Sequence, residues 1–317
     1  MNEKKTYKDP LILQRADPWI YRHTDGFYYF TASVPEYDGI EIRKAENINA
    51  LRDAKPHMVW RKHGEGPQSH LIWAPEIHHI DGKWYVYYAA GASCNVLDHR
   101  MFVIENDAED PTTGVWLEKG QIRTNWDSFA LDATTFLHGR TRQRYLVWAQ
   151  QESGIEGNSN LYIAKMKNPW TIEGEQVMLT KPELPWETIG FLVNEGPAVL
   201  EKNGKIYLTY SASATDHNYC MGLLTAEADC DPLDSRAWKK SQEPVFETSK
   251  ENSQYGPGHS CFTVVEEGDE DLLVYHARSY REIEGDPLYD PNRHTRVQRI
   301  RFGEDGRMLL GKPGSGN

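Results

Sequence analysis

Three acidic residues, Asp17 (ADPWIY), Asp132 (LDATTF) and Glu195 (NEGPAVL), stand in matched contexts, each opening a short β-type run. Singly, each has an ordinary reading; Asp before Pro, as at Asp17, is a common turn opener. Gathered in one place, three like charges repel one another and weaken the fold. A chain keeps such a cluster where something uses it, and a metal site or acid–base chemistry are the two main uses. Hydrolysis of a glycosidic bond fits best. It needs one protonated carboxyl to protonate the leaving oxygen and one carboxylate to activate water or attack directly. A third acid can raise the pKa of the proton donor and hold it in place.

The elements that would bring these residues together are repeated. Five aromatic-rich runs recur: FYYFTAS (27–33), WYVYYAAG (84–91), RYLVWAQ (144–150), IYLTYSAS (206–213) and LLVYHARS (272–279). Aligned on Phe30, Tyr88, Trp148, Tyr210 and His276, they lie 58, 60, 62 and 66 residues apart. A turn signal precedes each: Asp25-Gly26, Asp81-Gly82, Gly139, Asn203-Gly204 and Gly268-Asp269. Another β-type run precedes each turn, a third follows each hairpin, and a shorter fourth is visible at 58–62 and 115–122.

Three or four antiparallel strands in a unit of this length, five times over, give a five-bladed β-propeller, all-β, formed by residues 1–317 as one domain. A β-sandwich with accidental strand similarity is the alternative. In a propeller the first strands surround the axis, so their starting residues converge. Those positions read Asp17, Ala74, Asp132, Glu195 and His259.

The net charge of −12 argues against nucleic acid or an anionic membrane as partner and is compatible with a neutral ligand. Residues 1–10 are polar, without the apolar core of a signal peptide, and no apolar run approaches a membrane span. Cys94, Cys220, Cys230 and Cys261 lack metal-ligand or disulfide spacing, which reads as reduced thiols in a cytoplasmic protein. Ten Trp and 17 Tyr suit sheet packing and stacking on sugar faces.

ADPWIY, WAPEI, LDATTF, NEGP and PGHS, in this order, resemble glycoside hydrolase family 43 over essentially the whole chain. The resemblance implies a five-bladed propeller that inverts anomeric configuration, with Asp17 as general base, Glu195 as general acid and Asp132 as pKa modulator. The related fructoside-active families carry Asn before Asp-Pro, where this chain has Ala16. It also implies a pocket wall and sugar-stacking surface at Trp73. His259 would contact substrate or help bind an axial Ca²⁺ or water cluster; no other cofactor is implied. Arg296 would reach the substrate from the last repeat, with Arg293 as its competitor. Phe30, Thr31 and Gln150 end second strands and would line the site, while the facing of Glu76 stays open.

The repeat motifs, especially HLIWAPEIHHIDGKWYVYYAA and PGHSCF, most resemble exo-acting α-L-arabinofuranosidases, which release arabinose from arabino-oligosaccharides. A β-D-xylosidase of the same family is the runner-up. A non-catalytic carbohydrate-binding propeller is the rival class, and it would be expected to lose at least one of the three acids.

Overall fold

Each aromatic-rich run pairs with the run before it, across a two-residue turn at Ile80–Lys83 and Lys202–Lys205, and the third run adds to the same antiparallel sheet. The computed structural model describes residues 6–265 and 270–315. The first unit is β1 (Ala16–Arg22), β2 (Tyr28–Ser33), β3 (Gly39–Ala45) and β4 (His57–Arg61). The second is β5 (His70–Ile80), β6 (Lys83–Gly91), β7 (Arg100–Asn106) and β8 (Leu117–Gln121). The third is β9 (Ala130–Leu137), β10 (Arg144–Gln150), β11 (Asn160–Asn168) and β12 (Thr171–Thr180). The fourth is β13 (Asn194–Lys202), β14 (Lys205–Ala212), β15 (Cys220–Glu227) and β16 (Lys239–Lys240). The fifth is β17 (Tyr255–Val264), β18 (Asp271–Arg278) and β19 (His294–Arg299). In every unit the strands are hydrogen-bonded in sequence order, the meander of a propeller blade. The turn expected at Gly268-Asp269 lies outside the described residues.

The ring closes through the chain start. Ile12 bridges Thr295 of β19 with main-chain bonds in both directions, and Thr295 Oγ1 donates to the Arg15 carbonyl. The segment before β1 thus lies along the free edge of the fifth blade. This closure rules out the sandwich alternative. Bulky aromatics fill the blades and the spaces between them: Trp84, Trp148, Tyr28, Tyr87, Tyr162 and Tyr275 are fully buried. Most of the aromatic content is therefore packing, in which each large side chain removes apolar surface from water.

One local device repeats in all five blades. Near its start, each first strand spends three residues where its partner spends two. The register passes from Ala16–Ser33 to Trp19–Thr31, and from Trp73–Ala89 to Glu76–Tyr87. It passes from Leu131–Ala149 to Thr134–Val147, from Glu195–Ser211 to Ala198–Thr209, and from Gly258–His276 to Cys261–Val274. This is a β-bulge, which re-aims side chains and ends regular pairing. Its first residue is left-handed each time: Asp17 (φ 53°), Ala74 (46°), Asp132 (57°), Gly196 (54°) and His259 (44°). Four of the five are not glycine, and such strain gathers at functional sites.

The bulge corrects the repeat register. Tyr88, Trp148 and Tyr210 do lie opposite it, but in blades one and five that place belongs to Ala32 and Tyr275, not Phe30 and His276. It also moves one acid. Asp17 and Asp132 are the left-handed bulge residues of their blades, whereas Glu195 precedes Gly196 and is the counterpart of Ala16, Trp73 and Leu131.

Candidate active site

The five bulges surround a pocket of about 270 Å³ lined by Asp17, Asp132, Glu195, His259, Trp73, Tyr219 and Arg293, with apolar walls from Phe129, Leu131 and Val193. Asp17, Asp132 and His259 are buried. Phe191 and Leu97, 53% and 42% exposed, stand at the rim, together with Leu288.

The bulge N–H groups are tied down from blade to blade. Asp17 N donates to His276 Nδ1 of blade five at 3.1 Å, and Ala74 N donates to Ser33 Oγ of blade one at 2.8 Å. Gly196 N donates to Asp132 Oδ2 of blade three at 2.9 Å, and His259 N to Ser211 Oγ of blade four at 2.8 Å. Ser33, Ser211 and His276 occupy equivalent places, each opposite the residue before its own blade's bulge. The main chain at Asp17 and beside Glu195 is thus fixed by the neighbouring blade.

The three carboxyls differ in surroundings. Asp17 accepts from Ser33 Oγ at 2.6 Å and lies 3.4 Å from both Arg293 Nη1 and His259 Nδ1. Burial pushes its pKa up, but the Arg293 guanidinium beside it pulls the other way, and the carboxyl lies well below the usual carboxylate range. Asp17 is therefore ionised. Glu195 accepts from Tyr219 Oη at 2.8 Å. Burial and the Asp17 charge push it up to about 7, against the pull of the Tyr219 hydrogen bond and Arg293. Asp132 is likewise raised, first by burial and then by Glu195 and Asp17, although the Gly196 N–H favours its anion. The Glu195 charge acts on Asp132, so the two titrate as a coupled pair. An anion beside a group that still carries its proton is an acid–base pair.

His276 is neutral: burial first, with Arg293 adding to it, pushes it down to about 3. Because Nδ1 accepts the Asp17 N–H, its proton sits on Nε2, which meets no partner among the described residues. Burial also lowers His259.

Of the other expected site residues, Trp73 and His259 do line the pocket. Trp73 is locked by His99, stacked at 3.9 Å and 10°, whose two nitrogens bond the Val96 and Leu71 carbonyls. Arg296 does not reach the pocket. It bonds Asp9 at 2.6 Å, Ser279 and the Ala277 carbonyl, so it fastens the chain start to blade five. Arg293 is the arginine in the pocket, held by Tyr37 Oη at 2.8 Å as well as Asp17.

Phe30 and Thr31 lie further down β2, fully buried, and Ser33 is the β2 residue at the level of the site. Gln150 turns away from the pocket to hold the 124–128 loop through Thr124, Trp126 and Ser128. Glu76 is buried away from the pocket, against His78 at 3.1 Å. Sequence reasoning missed Tyr219, Ser33 and Ser211 as site residues. The two serines end second strands and were visible as TAS and YSAS; Tyr219 follows a loop and carries no local signal.

An axial Ca²⁺ at His259 does not fit this donor set. Calcium asks for six or more oxygen ligands. The carboxylate nearest His259 is already matched by a buried guanidinium, and Asp132 by a backbone N–H. Among the described residues no three His, Cys, Asp or Glu side chains gather as metal ligands. The cysteines are all free: Cys220 and Cys261 are buried, Cys230 is half-buried and Cys94 exposed.

The sequence profile of glycosyl hydrolases family 43 matches residues 7–308. This chain belongs to that family. It is 54% identical over 308 residues to an extracellular exo-α-(1→5)-L-arabinofuranosidase of Streptomyces avermitilis, covering 97% of this chain and 64% of that protein. A protein of the same name from Streptomyces chartreusis is 53% identical over 281 residues, 89% of this chain and 85% of its own. The crystal structure of an α-L-arabinofuranosidase from Lactobacillus brevis superposes with a TM-score of 0.95 at 56% identity, covering 98% of both chains. The chain spans less than two thirds of the S. avermitilis relative. The expected cytoplasmic location does not stand, because both Streptomyces relatives of this family 43 chain are named extracellular. A polar start and unpaired cysteines were weak grounds for a compartment.

Proposed function

We propose that this family 43 propeller is an inverting, exo-acting α-L-arabinofuranosidase that releases terminal arabinose from arabino-oligosaccharides. The observation that carries the reading is one pocket in which Asp17 is held as an anion while Glu195 keeps its proton up to about 7. The names of the relatives support the sugar, and the small pocket favours one terminal residue over a long chain.

Asp17 takes a proton from a water that attacks the anomeric carbon. Glu195 gives its proton to the departing glycosidic oxygen, so the C–O bond breaks without expelling an alkoxide. Attack by water from the face opposite the leaving group inverts the anomeric centre. The cycle ends with Asp17 protonated and Glu195 ionised, and exchange with solvent restores both. Asp132 holds the main chain beside Glu195 through Gly196 N and is the carboxyl assigned to modulate its pKa. Trp73 offers a wall for the sugar ring, and Arg293 fixes and ionises Asp17.

Side-by-side assay of 4-nitrophenyl α-L-arabinofuranoside, 4-nitrophenyl β-D-xyloside and debranched arabinan tests the reading. Proton NMR of the first-formed sugar should show inversion. Preference for the xyloside would overturn the substrate, a retained anomer would overturn the role of Asp17, and binding without turnover would make the chain a lectin-like propeller. EDTA treatment should leave the rate unchanged, and a loss restored by Ca²⁺ would mean the donor argument at His259 is wrong.

A further inference from the structure

We propose that Tyr219 is a positioning residue whose hydroxyl, donating to one carboxyl oxygen of Glu195, confines the proton of Glu195 to the carboxyl oxygen it does not touch. The inference rests on Glu195 being the general acid.

Tyr219 is buried, and Glu195 Oε1, at 2.8 Å, is the acceptor that its hydroxyl meets among the described residues, so the phenol proton is directed to that oxygen. Two protons cannot share one hydrogen bond, so the acidic proton of Glu195 must sit on Oε2. A proton on Oε1 would face the tyrosine instead of the substrate.

Tyr219 is gripped so that it cannot swing away. Its ring lies parallel to His276, 5.7 Å between centroids and 5° between planes, and His276 accepts the Asp17 N–H. A Cβ on Gly258 would come within 2.3 Å of the Tyr219 ring, so the glycine of PGHS is what admits it. Burial, followed by the charges of Glu195, Asp132 and Asp17, keeps the phenol protonated. The other charged groups that act on Glu195 are Asp17 and Arg293, with Asp132 coupled to it.

Tyr219→Phe keeps the ring and removes only the donor. A hydrogen bond to a carboxylate favours its charged form, so its loss raises the pKa of Glu195. The basic limb of kcat/KM should move to higher pH by about one unit. Arabino-oligosaccharide turnover should fall about tenfold or more, while the nitrophenyl arabinoside, which needs little protonation, loses less. A limb that stays put or moves down, with both substrates losing equally, would overturn the proposal.

If Tyr219→Phe fails to fold, 3-fluorotyrosine placed at 219 alone gives a stronger donor of nearly the same shape. The limb should then move to lower pH, and no movement would overturn the proposal. Glu195→Gln separates the two layers of the argument. If it slows both substrates alike, the acid assignment fails and the proposal falls with it. If it spares the nitrophenyl substrate while Tyr219→Phe leaves the limb in place, only the role given to the Tyr219 hydroxyl is wrong.

Discussion

Blades one and four each supply an acid from the same bulge, yet from different places in it. In blade one the acid is the left-handed residue, Asp17, fixed by Ser33 and facing Arg293, His259 and His276. In blade four the left-handed residue is Gly196, and Glu195 stands one position earlier, opposite Ser211, with a tyrosine as its donor. One step along a bulge sends a side chain in a new direction, and here also into a new electrostatic setting. Asp17 meets a guanidinium and is ionised; Glu195 meets a neutral phenol and stays protonated to about 7. Five copies of one device thus produce two chemically opposite carboxyls without any change of fold.

The largest effects should come from removing these two groups. Asp17→Asn should lower kcat/KM by about 10²–10⁴-fold on every substrate, since activation of water is required whatever leaves. Glu195→Gln should cost as much on arabino-oligosaccharides but markedly less on the nitrophenyl glycoside. Parallel rate measurements on the two substrates decide; identical profiles for both variants would erase the contrast between the blades.

Asp132 of blade three acts on blade four, because its carboxylate holds Gly196 N and it is coupled to Glu195. With Asp132→Asn the negative neighbour is gone and Glu195 loses its proton more easily. The basic limb of the pH–rate profile should move to lower pH, the reverse of its movement in Tyr219→Phe. A fixed limb with reduced rate would leave Asp132 an orienting role alone.

Arg293→Gln acts on both blades with one sign. Asp17 loses the cation that holds its pKa down, so the acidic limb moves up. Glu195 loses the same cation, so the basic limb moves up as well. The whole activity window should shift to higher pH. Arg296→Gln, three residues on, should lower thermal stability through the lost bond to Asp9 and leave the window in place. A window that moves with Arg296 and not Arg293 would reverse the assignment of the two arginines.

The repeat, the blade count and the convergence of Asp17, Asp132, Glu195, Trp73 and His259 were legible because they reside in local pattern: alternating aromatic runs, turn dipeptides and motifs at strand starts. What was not legible depends on partners distant in sequence. Arg296 looks as suited to the pocket as Arg293 until Asp9, at the other end of the chain, is seen to claim it. Tyr219 is one of many tyrosines until β17 brings Gly258 against its ring. The offset of Glu195 was hidden because NEGP can be laid on ADPW with either Glu195 or Gly196 under Asp17. Only strand register distinguishes the two.

That offset yields the smallest and most direct test of the comparison. Asp17, Ala74, Asp132 and His259 all carry a Cβ in the left-handed conformation, so the bulge itself does not demand glycine. Gly196 differs in its neighbour: a Cβ there would lie 3.1 Å from His259 Cγ and Nδ1, tighter than ordinary contact. His259 would have to move by a few tenths of an ångström, and its Nδ1 is the atom that faces Asp17 and Asp132. Gly196→Ala should therefore cost about 1–2 kcal/mol in stability, from left-handed strain and the close contact together. Its kcat/KM should fall by less than about tenfold, the order that such an energy allows if much of it reaches the transition state. Thermal denaturation and kinetics on the same preparation measure both. If stability and rate are untouched, blade four has no need of glycine, and the placement of Glu195 is an accident of register that Tyr219 alone makes useful.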